Sequence, residues 1–297
     1  MCEGHQMPTV ILYMKERLSF SGHDKFACRQ FWLKKGFNHT NQQKTFNSAA
    51  VIDLGVGRNM VTAVRYWIQA FGIVDDNGPS ELGTKLLADE GYDPYIEDLG
   101  TLWLLHYSLV TTEIASLYSL VFNDFLRQKV EFTRDALFHY ISDYCQKRDI
   151  YYNPSSLKND IAVFISNYAL PEKSKGVEAD FSGLLYELQL LNRIQRSGGW
   201  FKIESSDRPD LAARILLFCL LYTYPEQQTF SFRDLLSKKH SIGRVFCLTP
   251  NGLHDKLNEL TMLYPNELVL SEDAGVQVLQ IKQPIEPWQL LKDHYEN

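Results

Sequence analysis

The sequence predicts a mainly α protein: a helical middle region between winged-helix-like modules at its N-terminal and C-terminal ends. Three observations carry this. Apolar residues recur at helical spacing along most of the 297 residues. Breaks at Asn153-Pro154, Leu170-Pro171 and Ser197-Gly198-Gly199 divide the stripes. An order of helix, turn, amphipathic helix and polar hairpin occurs near both ends, which is the order of a winged helix-turn-helix. Because single cores stop growing at about this length, the reading assigns residues 1–99, 100–206 and 207–297 to three domains.

In the first of these, Ser21 to Gly36 reads as a helix. Ser21 or Asp24 would cap it, Phe26, Phe31, Trp32 and Leu33 would face inward, and Lys34-Lys35-Gly36 would stop it. The apolar run Phe46 to Leu54 ends at Gly55-Val56-Gly57, where one of the glycines is expected to adopt a backbone conformation that disfavours side chains. Met60, Val64, Trp67, Ile68 and Phe71 then form a continuous helical stripe. Arg58, Thr62, Arg65 and Gln69 share the opposite face. Gly72 and Asp75-Asp76-Asn77-Gly78-Pro79 follow as turn and polar hairpin.

The middle is expected to be helical over Leu102–Tyr118, Glu131–Lys147, Ser156–Tyr168 and Phe181–Ile194. Near the C-terminus, Leu211 to Tyr222 and Ser231 to Ser237 read as helices, and Thr249-Pro250 as cap and first helical residue. The stripe Leu253, Leu257, Leu260, Tyr264 follows, and then a hairpin across Glu272–Gly275. The outward residues of this last helix are Asn251, Asp255 and Asn258, a set without arginine that suits protein contact or structure better than DNA.

Charge is unevenly placed. The net charge is −6, yet residues 1–74 hold nine Lys/Arg against four Asp/Glu, and residues 75–100 hold eight acids against Lys85. That distribution fits a local DNA-facing surface on an acidic chain, or equally two segments that pair with each other. Five scattered cysteines without CxxC or zinc spacing suit a reducing compartment, and no apolar run reaches membrane-span length, so a cytoplasmic location is expected. Met1 to Met14 does not read as a secretory signal.

Four groups of residues carry candidate chemistry. Arginines and amides are the usual major-groove probes, so Arg58, Asn59, Thr62, Arg65 and Gln69, with Lys25 and Arg29, are the candidate DNA contacts. A solvated helix face is the plain alternative. Val51–Gly57 imitates the first loop of nucleotide or S-adenosylmethionine sites, with Asp53 before the glycine turn, but no βαβα alternation follows it. Asp93, Glu97 and Asp98 form an acidic cluster with His106 downstream, and close carboxylates can hold Mg²⁺ for phosphodiester cleavage. The alternative is a helix start in which Asp93-Pro94 supplies cap and first residue. His23, next to Asp24 and Lys25, is a further candidate base or phosphate contact, and an exposed histidine beside a cap is its bland counterpart. No PD…(D/E)xK, HNH or GIY-YIG pattern is present.

Three stretches occur in order: Phe20-Ser21-Gly22-His23 with Phe26, Arg29 and Trp32–Gly36; Gly55–Val61 with Arg65-Tyr66-Trp67; and Asp93–Asp98 with Leu102–His106. Together they resemble the SspB-like family of bacterial proteins associated with DNA phosphorothioation, a family designated only as a domain of unknown function. The resemblance covers residues 20–110 by motif. It implies a DNA-binding, DNA-nicking component of a sulfur-modification and phage-defence system. Its partners would be DNA, a cysteine desulfurase, an ATP pyrophosphatase-type sulfur transferase and an ATPase, with a homodimer left open. It transfers no catalytic residues. The residues proposed for nicking from the sequence are His23, Glu97, Asp98 and His106, with Mg²⁺ as the metal and no organic cofactor. The rival readings are a winged-helix adaptor or transcriptional regulator, and an S-adenosylmethionine-dependent enzyme.

Overall fold

The computed structural model describes residues 18–170, 183–273 and 275–296. The expected signal-free N-terminus at Met1 to Met14, Cys2, the start of the helix expected at Phe181 and the hairpin residue Ala274 lie outside these. The described chain is mainly helical, with small antiparallel sheets.

Helices α1 (Gln30–Asn41), α2 (Ala50–Leu54) and α3 (Arg58–Ala70) open the chain. Neither Ser21 nor Asp24 is a cap. Both have positive φ, as do Gly22 and Lys25, so residues 21–25 form an irregular segment and α1 starts only after Arg29. Gly36 does not stop α1. A side chain there would collide with Ile68 and Val64, so glycine is what lets α1 lie close against α3. Trp32 and Leu33 are buried as expected, but Phe31 is 56% exposed, on the opposite side of the helix.

The run before Gly55 is a short helix, not a strand, and Gly55 is its left-handed C-cap at φ 63°. Gly57 has an ordinary extended conformation and open space around it. Of the two, Gly55 is therefore the one that needs to be glycine. Gly55→Val is expected to cost about 1–2 kcal/mol or more, because a β-carbon at that φ meets the following carbonyl, while Gly57→Ala stays near neutral. Melting temperatures of the two variants check this.

Beyond α3, β1 (Val74–Asp75) and β2 (Gly78–Pro79) form a minimal hairpin that leads into α4 (Glu81–Leu87). Helix α5 (Leu99–Thr111) is apolar on nearly every face and correspondingly lies in the interior, against α6 (Ser116–Asn123). The single helix expected over 102–118 is thus two, divided at Glu113, which has φ 58°.

Helix α6 begins a pattern that the helical reading of the middle region missed. β3 (Glu131–Thr133), α7 (Arg134–Lys147), α8 (Pro154–Tyr168), β4 (Asn192–Ile194) and β5 (Trp200–Lys202) follow. β3 pairs with β5, giving the sheet order β3-β5-β4. The described part of the helix expected over 181–194 is a 3-10 turn followed by strand β4.

A similar order, with three helices in place of two between the first strand and the hairpin, follows in α9 (Ala213–Thr223), β6 (Thr229–Ser231), α10 (Phe232–Ser237), α11 (Ile242–Val245), α12 (Pro250–Leu263), β7 (Leu268–Asp273) and β8 (Val276–Ile281). Its sheet order is β6-β8-β7. Thr249 caps α12 from Pro250 as expected, its hydroxyl accepting from the Gly252 N–H at 2.9 Å. Helix α13 (Pro287–Tyr295) packs on α9, and its last turn closes onto the start of α5. Cys28, Cys145, Cys219 and Cys247 are buried, as small apolar core residues.

Candidate nucleic-acid interface

On α3 the period of 3.6 separates two faces cleanly. Val64, Trp67 and Ile68 are buried, and Arg58, Asn59, Thr62 and Arg65 are exposed, with Gln69 partly so. Among the described residues Arg58 and Arg65 have no ion-pair partner. The first turn of α3 has no side-chain cap. Its free N–H groups and the two guanidiniums therefore face solvent together, a combination suited to an anionic backbone. The alternative that the basic and acidic blocks neutralise each other holds at Lys34. Its ammonium is buried against the Leu87 carbonyl and the Asp89 carboxylate, each at 2.7 Å.

Lys25 is exposed on the irregular segment, and Arg29 lies at the start of α1 with its guanidinium over Trp32 at 5.4 Å. His23, two residues before Lys25, is not an exposed group. It is 3% exposed, stacked on Trp67 and edge-on to Tyr66. Its Nδ1 accepts from the Lys25 N–H at 3.2 Å, which leaves Nε2–H to donate to the Asp160 carboxylate on α8 at 2.8 Å. Burial pushes the Asp160 carboxyl above its ordinary range, and His23 partly offsets the shift. This pair fastens the irregular segment to α3 and α8 together. Asp160 was missed in the sequence, although an acid among Leu157, Ile161 and Phe164 on one apolar stripe is itself a signal of a buried partner.

The acidic cluster is similarly occupied. Asp93 is buried and accepts from the Glu97 N–H and Asp98 N–H at 2.9 Å and from the Thr101 hydroxyl at 2.7 Å. Asp98, not Asp93, caps a helix: its carboxylate accepts from Gly100 N–H at 2.7 Å and Thr101 N–H at 3.3 Å at the start of α5. Glu97 is exposed. His294 of α13 hydrogen-bonds Asp98 at 3.0 Å and, against opposing desolvation, holds its carboxyl below the ordinary range. A lowered carboxyl pKa stabilises the fold above the usual carboxylate range, and that contribution disappears as pH falls through the lowered value. Asp98→Ala is expected to cost about 0.5–2 kcal/mol at neutral pH, mostly through removal of the cap because the ion pair is solvent-screened. The deficit should shrink in acid. Denaturant titrations at two pH values measure it.

His106 is fully buried. Nε2–H donates to the Val245 carbonyl at 2.8 Å, and Nδ1 accepts from the Tyr168 hydroxyl at 2.7 Å. Burial brings its pKa down to about 3. Both ring nitrogens are spent inside the core, so His106 has no route to a phosphodiester. The structure thus does not gather His23, Glu97, Asp98 and His106 into one reaction centre. Among the described residues no three His, Cys, Asp or Glu side chains converge as a metal site. The S-adenosylmethionine reading also falls: Asp53 lies on a helix, its carboxylate 3.3 Å from the Lys44 ammonium, and no strand precedes the glycine turn among the described residues.

The fold and this surface define a class of mainly α protein in which a helix, a strand, two or three helices and a hairpin recur in that order, and in which a cationic helix face is exposed. The family model of DUF4007, a protein family of unknown function, matches residues 20–295, and the chain belongs to that family. A crystal structure of SspB with a bound magnesium ion superposes with a TM-score of 0.83 at 28% identity, covering 94% of this chain and 88% of that one. A second SspB crystal structure gives a TM-score of 0.82 at the same identity and coverage. No curated protein matches the chain. No helix among the described residues is long and apolar enough to cross a membrane.

Proposed function

We propose that this chain is the DNA-binding component of a phosphorothioation-associated system and that α3 is its DNA-contacting helix. The observation that carries the reading is the exposed face Arg58, Asn59, Thr62 and Arg65, with Gln69 partly exposed beside it, whose guanidiniums are unpaired among the described residues. Likeness to SspB over nearly the whole chain supports the assignment to such a system. In this reading residues 1–99, 100–206 and 207–297 are three modules, each built on a winged-helix plan. The first has a two-residue hairpin as its wing, and the second and third pair their first strand with the hairpin. The third presents Asn251, Asp255 and Asn258, which suits contact with a protein partner: the desulfurase, sulfur transferase or ATPase of the system, or a second copy of the chain.

DNA nicking is the finer proposal. Hydrolysis needs a positioned nucleophile and stabilised phosphoryl charge. Of the four residues considered for it, Glu97 alone is both exposed and free of a capping role, with Arg58 and Lys25 exposed as cations. SspB has been crystallised with magnesium. In this chain Asp93 and Asp98 are spent on backbone N–H groups, and Glu97 left by itself does not make a metal cage. The test is supercoiled plasmid incubated with the purified protein, with and without Mg²⁺ and the partner proteins. Salt-dependent retardation supports the DNA-binding reading, and conversion to open circle supports nicking. Binding without open circle under every condition favours the adaptor, and no retardation at low salt overturns DNA binding.

A further inference from the structure

A cleft of about 400 Å³ opens between the start of α1, the turn from α2 to α3 and residues 183–187. That volume falls in the range of about 300–1,000 Å³ usual for small-ligand clefts. Three features of its lining belong together. Phe31 presents an aromatic ring to it while 56% exposed, although its neighbours Trp32 and Leu33 are buried. Lys35 stands one turn further along the same face of α1, its ammonium held by the Leu54 carbonyl at 2.9 Å beside Gly55. Arg29 completes the cationic side. Gln30 and the Glu187 carboxylate also line it.

The cleft also adjoins the proposed DNA-contacting helix, because Gly55 and Val56 line it and α3 begins at Arg58. An aromatic face and cations lining one cleft are the elements that hold single-stranded nucleic acid: the ring stacks a base of any identity and the cations meet the phosphates. A paired base cannot reach such a ring, and freeing it from a duplex costs a few kcal/mol, whereas an unpaired base pays little.

We propose that the cleft takes one unpaired nucleotide of a DNA strand that lies on α3, with the base on Phe31 and its flanking phosphates between Arg29 and Lys35. This rests on the DNA-contact reading of α3 and adds the form of DNA preferred: a duplex carrying an unpaired base.

The experiment compares Kd, by fluorescence anisotropy, for a fully paired duplex and for the same duplex with a one-nucleotide bulge. The wild type is expected to bind the bulged duplex about five- to 150-fold more tightly, the equivalent of one stacked base at about 1–3 kcal/mol. Phe31→Ala should abolish the preference while leaving the paired-duplex Kd within about twofold, and Phe31→Trp should retain it. Because Phe31 is exposed, these variants are expected to fold, and circular dichroism verifies that. Equal wild-type affinity for the two duplexes overturns the cleft and leaves α3 standing, as does a preference that survives in Phe31→Ala. Absence of binding to either duplex overturns both.

Discussion

Arg58→Ala combined with Arg65→Ala is expected to weaken binding to paired duplex DNA by about 1–3 kcal/mol for each base edge no longer recognised. If the two guanidiniums instead meet phosphates, the slope of log affinity against log salt should fall by about two. Both residues are exposed and unpaired among the described residues, so the melting temperature should barely move: surface changes of this kind usually fall within about 0.5 kcal/mol. Anisotropy titrations at several salt concentrations separate the two modes. Unchanged affinity and slope in the folded double variant would remove α3 from the interface. Thr62→Ala and Gln69→Ala sort the interactions further. A sequence-dependent weakening marks recognition of a base, and a uniform one marks recognition of the backbone.

The largest stability effect is expected at His23. His23→Ala leaves the Asp160 carboxylate buried without its main partner, which typically costs about 3–5 kcal/mol. Removal of the stack on Trp67 adds to this. The sign of the pH dependence follows from Asp160, whose carboxyl is already raised by burial. Removing His23 raises it further, so protonation relieves the variant in acid. The deficit relative to the wild type should therefore grow as pH rises from about 4 to about 8. Asp160→Asn, which keeps an acceptor and carries no charge, should be milder. Thermal denaturation of the wild type and both variants across pH measures this. A His23→Ala protein with wild-type stability that cannot nick would instead return His23 to a catalytic role, and DNA binding that declines in step with stability would mark it as the fastening of the segment bearing Lys25.

Much of this protein is legible in its sequence because local periodicity writes it there. Met60, Val64, Trp67, Ile68 and Phe71 mark the inner stripe of α3, and that stripe places Arg58, Thr62 and Arg65 on the outer face whatever the rest of the chain does. Thr249-Pro250 marks the start of α12 by capping chemistry alone, and alternating residues mark β7 and β8. What periodicity cannot report is pairing between distant segments. Strands of three residues such as β3 and β5 are too short for an alternation to register, and they exist because Phe132 and Phe201 bury each other across residues far apart in the chain. Phe31 is apolar and helical, yet only the position of α3 relative to α1 decides that it faces out.

The candidate site divides along the same line. The sequence by itself determined a mainly α chain and a cationic helix face, because helix period and net charge by segment are local properties. Tertiary structure alone decided the state of each titratable group. His23 is committed to Asp160, 137 residues away, His106 to Val245, 139 away, and Asp98 to His294, 196 away. A histidine or carboxylate in the sequence is equally a base, a metal ligand, a cap or a core hydrogen-bonder. Burial and the partner brought to it by the fold choose among these, since a buried polar group must be paired and a paired one is no longer free for chemistry.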